Sequence, residues 1–114
     1  MNDTCLSQIY LVPVERSRSP SPVTLPQDAG WIFTAPDPDV DAVAEVLGDA
    51  NDRPVQIVRA LGERYLDHDH FIEVIAACAR SGPNPVLVVN ADMTETVLQL
   101  ASAYLTHVDE VTPS

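Results

Sequence analysis

The chain has 114 residues, 46% of them hydrophobic and 20% charged, with 17 acidic against 6 basic side chains and a formal net charge of -11. That is one domain's length, and it is too apolar for a disordered chain. The carboxylate excess argues against unaided binding to nucleic acid or to an anionic membrane, because both need Lys and Arg to meet phosphate.

Every basic residue is Arg, and aromatic residues are only 5% of the chain. The core must therefore be built from Val, Leu, Ile and Ala. Two cysteines, Cys5 and Cys78, make no disulfide framework. The opening residues lack the basic and apolar regions of a signal peptide, and no apolar run reaches the length of a membrane span. A cytoplasmic location is the expectation, with no cofactor.

In chain order, residues 8–14 are β-branched and apolar and predict a first strand, with Pro13 best placed at an edge or at the strand's end. Residues 15–29 predict a Pro/Ser/Arg-rich loop with polyproline character, holding Arg16, Arg18, Pro20, Pro22 and Pro26. Residues 31–34 predict a second strand. Asp37-Pro38 offers an N-cap and an N1 proline for a first helix. Its apolar face is Val40, Val43, Ala44 and Leu47, and Gly48 is expected to stop it.

A second helix is predicted from about Asp52, with Ile57, Val58, Leu61 and Tyr65 on its face and Gly62 as a weak point. A third starts at Asp67 or Asp69, buries Phe71, Ile72, Ile75, Cys78 and Ala79, and stops at Ser81-Gly82-Pro83. Residues 85–90 form a continuous apolar run that fits a strand buried on both faces. Asp92 and Glu95 make a capping-box pattern for a fourth helix, carrying Val97, Leu100, Ala101, Tyr104 and Leu105. Residues 107–114 are expected to be a polar, frayed tail.

The order β-β-α-α-α-β-α predicts a single α/β domain over residues 1–114, with α+β the alternative. Its sheet is expected to be small, mixed and three-stranded, with about four helices. The first two strands would pair antiparallel, and the second and third parallel across a helical crossover.

The chemical motifs are few. Asp67-His68-Asp69-His70 holds metal-ligand types, and His68 and His70 are the candidate metal residues. Residues two apart do not share a helix face, so a polar helix start with an Asp cap competes with that reading. Asp37, Asp39 and Asp41 resemble the start of a calcium loop, but Ala42 and Gly48 stand where that loop needs Gly and Glu. Cys78 falls on an apolar helix face, where a cysteine is inert. Residues 90–95 have neither the glycines nor the lysine of a phosphate loop.

Charge layout is the remaining lead. Asp37, Asp39, Asp41, Glu45, Asp49 and Asp52 stand together without a basic residue, whereas Arg16 and Arg18 lie in an acid-free stretch. The expectation is a non-enzymatic interaction or assembly module, binding a protein partner or a second copy through Arg16, Arg18, Asp37, Asp39, Asp41 and Glu45. One alternative is an acidic inhibitor standing in for nucleic acid in a basic groove. Another is a metal-binding module or small metal-dependent enzyme at His68 and His70. Tyr10-Leu11-Val12-Pro13-Val14 resembles the start of some small proteins encoded in phage structural gene clusters. The likeness covers five residues, and it implies an assembly component.

Overall fold

The computed structural model describes residues 8–15, 24–63 and 65–111. Five strands form the sheet: β1 (Gln8–Val14), β2 (Ile32–Thr34), β3 (Val55–Ile57), β4 (Val86–Asn90) and β5 (His107–Glu110). Three α-helices connect them: α1 (Pro38–Asn51), α2 (His68–Ala79) and α3 (Thr94–Tyr104). Short 3₁₀ turns at Arg59–Gly62 and Ala91–Met93 precede α2 and α3.

The sheet is parallel throughout, in the order β3-β2-β4-β1-β5. The expected antiparallel pairing of β1 with β2 is corrected here. The two strands are not neighbours, because β4 lies between them and pairs with both. Burial explains the insertion. Val86, Leu87, Val88 and Val89 are all fully buried, and a strand apolar on both sides belongs in the middle of a sheet covered on both faces.

Side chains alternate along each strand, so the register sorts the core into two layers. The Cα of Gly48 in α1 faces Ile32, whose Cδ1 would lie 3.9 Å from a Cβ there. Ile32 aligns with Val86, and Val86 with Tyr10, so these share the α1 side. Phe33, Leu87 and Leu11 align on the other side. There Phe71 of α2 and Tyr104 of α3 meet at 5.9 Å between ring centroids. The right-handed crossovers of parallel strands give the same division, α1 on one face and α2 with α3 on the other.

Three predicted elements differ. The expected second helix is instead β3 followed by the 3₁₀ turn at Arg59–Gly62. Asp52 takes a left-handed conformation (φ 55) that ends α1, and the β-branched Val55 and Ile57 then pair with β2. The turn buries Ala60 and Leu61, whereas Ile57 and Tyr65, also expected on a buried helix face, are exposed. Gly48 does not stop α1, which runs on to Asn51. A Cβ on Gly48 would lie 2.6 Å from Val55 Cγ2 and 2.8 Å from the Arg53 carbonyl oxygen. The glycine thus lets the chain fold back closely onto the helix. Residues 107–110 do not fray. They form β5, where Gln8 Nε2 donates to Asp109 Oδ2 at 2.8 Å and Val111 N to the Leu11 oxygen. Pro13 lies beyond the last β1–β5 pair, Leu11 with Glu110, where its missing N–H costs no bond on that side.

At the N-terminal edge of the sheet, residues 24–31 pack against residues 80–85. Gly30 N donates to the Asn84 carbonyl at 2.7 Å, Tyr10 Oη donates to Asp28 Oδ1 at 2.7 Å, and Leu25 N donates to Asn51 Oδ1 at 2.9 Å. A Cβ at Gly30 would stand 2.6 Å from the Pro83 carbonyl oxygen, which is backbone and cannot rotate aside. Gly30→Ala is therefore expected to destabilise the fold by about 1–3 kcal/mol, the usual cost of overpacking. A urea titration followed by circular dichroism measures it; an unchanged midpoint would show that this edge is free to relax.

Candidate functional site

Three places hold the polar groups that matter, and the fold keeps them apart. The first is the C-terminal edge of the sheet. The chain leaves β2 toward β3 and leaves the neighbouring β4 in the opposite direction, toward β5. Such a switch point is where open parallel sheets take ligands. Here the polar groups are occupied locally. Asp37 Oδ1 accepts from Asp39 N (2.9 Å) and Val40 N (3.5 Å) and so caps α1. Asn90 Oδ1 accepts from Asp92 N at 3.3 Å, holding the 3₁₀ turn before α3. Thr34 is fully buried and its hydroxyl donates to the Ala35 carbonyl at 3.3 Å. Thr94 Oγ1 is buried without a hydrogen-bond partner among the described residues. Asp92 does not cap α3 as the capping-box pattern implied; Asn90 supplies the side-chain cap one turn earlier. The switch point was not legible in the sequence, because it depends on β4 separating β1 from β2.

The second place is α1. Val40, Ala44, Leu47 and Gly48 are buried against the sheet. Asp41, Glu45 and Asp49 recur every four residues, which sets them in one row along the helix. Asp39, Glu45 and Asp49 are exposed and Asp41 is half-buried. Asp39 and Asp41 lie at the helix N-terminus, where the backbone dipole favours negative charge, but Asp49 lies at the C-terminus, where it does not. The last turn of α1 holds no basic residue. The ion pairs among the described residues join His70 to Asp67 and His107 to Asp109, and the α1 carboxylates take part in neither. Of the expected partner-binding set, Asp37 is engaged as the cap, Asp39, Asp41 and Glu45 are displayed on α1, and Arg16 and Arg18 lie outside the described residues.

The third place is the start of α2. Asp67 is the N-cap: Oδ1 accepts from His70 N at 3.0 Å and from His70 Nδ1 at 2.7 Å. His68 points elsewhere, with Nδ1 hydrogen-bonded to Tyr104 Oη at 2.9 Å and the two rings edge to face at 5.7 Å. The two imidazoles thus have separate partners on separate sides of the helix. Among the described residues no group of three or more His, Cys, Asp or Glu side chains is arranged to hold a metal ion. Cys78 is fully buried on α2, and burial pushes its thiol up to about 12, so it stays protonated and unreactive. Tyr10 to Val14 are strand β1, in the interior of the sheet, so the short stretch carrying the phage resemblance is mostly core.

The bond to Asp67 holds the His70 imidazole above its ordinary value, and the bonds from His70 hold Asp67 below its own. The stability that His70 contributes is complete below its unfolded value of about 6.5 and is lost as pH rises through its folded one. That of Asp67 is complete above about 3.8 and is lost as pH falls. The cap is therefore strongest in mildly acid solution, between those two values. In an NMR titration the His70 ring signals are expected to move at higher pH than those of an unperturbed histidine, and Asp67→Asn should return them to the ordinary value. An identical midpoint in both proteins would rule the pair out. No family model, curated protein or solved structure matches this chain.

Proposed function

We propose that this protein is a non-enzymatic interaction module that binds a basic protein partner along α1. The observation that carries the reading is the row Asp41, Glu45 and Asp49. It is displayed on an exposed flank, lacks a cation in its last turn, and runs into the negative end of the helix dipole. Like charges at this spacing cost stability in the isolated protein, and a basic partner removes that cost on binding. The net charge of -11 adds a long-range field that speeds encounter with such a partner and repels acidic ones.

The triple variant Asp41→Asn, Glu45→Gln, Asp49→Asn separates this role from a merely structural one. Its stability is expected to stay within about 0.5 kcal/mol of the parent, because the like-charge repulsion and the Asp49 dipole repulsion that are removed are offset by the dipole attraction lost at Asp41. It is also expected to lose the partner. Immobilised parent protein should retain a basic protein from an extract of its native source at low salt and release it at high salt, because exposed charge pairs are screened. The triple variant should retain none of it. Capture of the same protein by both forms, or capture insensitive to salt, would exclude α1 as the binding surface. Competition by duplex DNA for the captured protein would favour the reading as an inhibitor that stands in for nucleic acid.

A further inference from the structure

Among the described residues the sheet ends in unlike edges, β3 on one side and β5 on the other. In a parallel ladder alternate residues turn their backbone groups toward the neighbouring strand, and the residues between them turn theirs away. Ile32 N donates to the Pro54 carbonyl and Val58 N to the Thr34 carbonyl, so Val55 and Ile57 present their N–H and C=O groups outward. Val111 N donates to the Leu11 carbonyl, so Val108 and Glu110 present theirs outward. Each edge thus offers a pair of outward residues at the same spacing, unpaired among the described residues. The side chains differ. β3 is uncharged, with Ile57 56% exposed, and is flanked by Arg53 and Arg59. β5 carries Asp109 and Glu110. Arg59 and Glu110 are exposed, and neither joins an ion pair among the described residues.

An unpaired edge is a template for another strand. Identical chains can join β3 to β3, β5 to β5, or β3 to β5, and charge decides among these. A two-fold β3–β3 pairing centred on Gln56 sets Arg53 opposite Arg59 of the other copy. A two-fold β5–β5 pairing centred on Asp109 sets that carboxylate opposite its own counterpart. Like charges directly opposite destabilise a strand pair. Joining β3 to β5 brings Arg59 to Glu110 instead. We propose that this chain self-associates head to tail, the β3 edge of one copy adding to the β5 edge of the next. A parallel pairing with Ile57 opposite Asp109 of the next copy keeps α1 on the same face of both sheets, since both residues lie on the α1 side. It closes bonds from Ile57 N–H to the Val108 carbonyl, from Glu110 N–H to the Ile57 carbonyl and from Val108 N–H to the Val55 carbonyl. Glu110 then stands opposite Val58, beside Arg59. Because the contact joins unlike edges, each added copy leaves a free one, and growth does not stop at a dimer. The net charge of -11 opposes the approach of two copies. That repulsion is long-range: in about 0.15 M salt, charges more than about 8 Å apart are screened, whereas the backbone bonds persist.

Sedimentation equilibrium of the full chain, from micromolar to millimolar concentration, is the test. In about 0.15 M salt the average mass is expected to rise past that of a dimer, with less association at low salt. Proline removes an outward N–H and is tolerated on an edge strand. Ile57→Pro closes the β3 edge and Glu110→Pro the β5 edge, and each variant, confirmed folded by circular dichroism, should be monomeric. Their equimolar mixture should form a dimer and nothing larger, because one intact β3 edge and one intact β5 edge remain between them. Arg59→Glu probes the same junction without proline. It should weaken association about threefold or more, the scale of an exposed ion pair turned into a repulsion, and Arg59→Glu/Glu110→Arg in one chain should restore it. A parent that stays monomeric, a mass that stops at the dimer, a proline variant that still associates or a mixture that does not would overturn the proposal. The α1 triple variant should associate at least as well as the parent, so self-association and capture of a basic partner fail independently.

Discussion

The parallel ladder through β4 is the constraint on which everything else depends. A strand with four consecutive fully buried residues removes apolar surface from water on both sides, worth about 1.5–3 kcal/mol for each Val or Leu relative to exposure. Parallel strands cannot be joined by tight turns, so each neighbour must be reached by a crossover, and the crossovers supply the helices that cover the faces. Placing β4 between β1 and β2 fixes the sheet order. It also sends the chain from β2 and from β4 in opposite directions, and so separates α1 from α2 and α3. The α1 carboxylates and the His68–Tyr104 contact face apart for that reason.

Local signals in the sequence predicted local structure well. The Asp37-Pro38 start of α1, the Asp67 cap of α2 and the doubly buried strand at residues 85–90 all follow from capping chemistry or hydrophobic runs within a few residues. Two short strands escaped. Val55–Ile57 was hidden because its apolar spacing also suits a helix, and three residues are too few to show a period of two. His107–Glu110 was hidden because three of its four residues are polar. It is an edge strand, held by its ladder to β1, by the bond from Gln8 to Asp109 and by Val108, which is half-buried against the core. The pairing of β1 with β4 joins residues more than seventy positions apart, and no pattern within either segment encodes it.

The candidate sites show the same division. Clustering of acidic residues was visible at once, but their distribution between capping and display was not. Asp37 and Asp67 are spent on helix starts, whereas Asp41, Glu45 and Asp49 stay outward because Val40, Ala44 and Leu47 take the inward positions. The two histidines look like a pair in sequence and are separated by the helix itself, one turned to Asp67 and the other to Tyr104. The contacts of Tyr104 with Phe71 and His68 join residues more than thirty positions apart, so only the packing of α2 against α3 reveals them.

Burial of Cys78 has a practical consequence. Thiol reagents attack the thiolate, and in the folded protein this thiol is both walled in and held protonated far above neutral pH. Its modification under native conditions therefore reports the fraction of time that α2 stands away from the sheet. Site-resolved labelling of this one sulfur measures that opening equilibrium directly, and comparing its rate with the global unfolding rate distinguishes a helix that lifts alone from a sheet that lets go all at once.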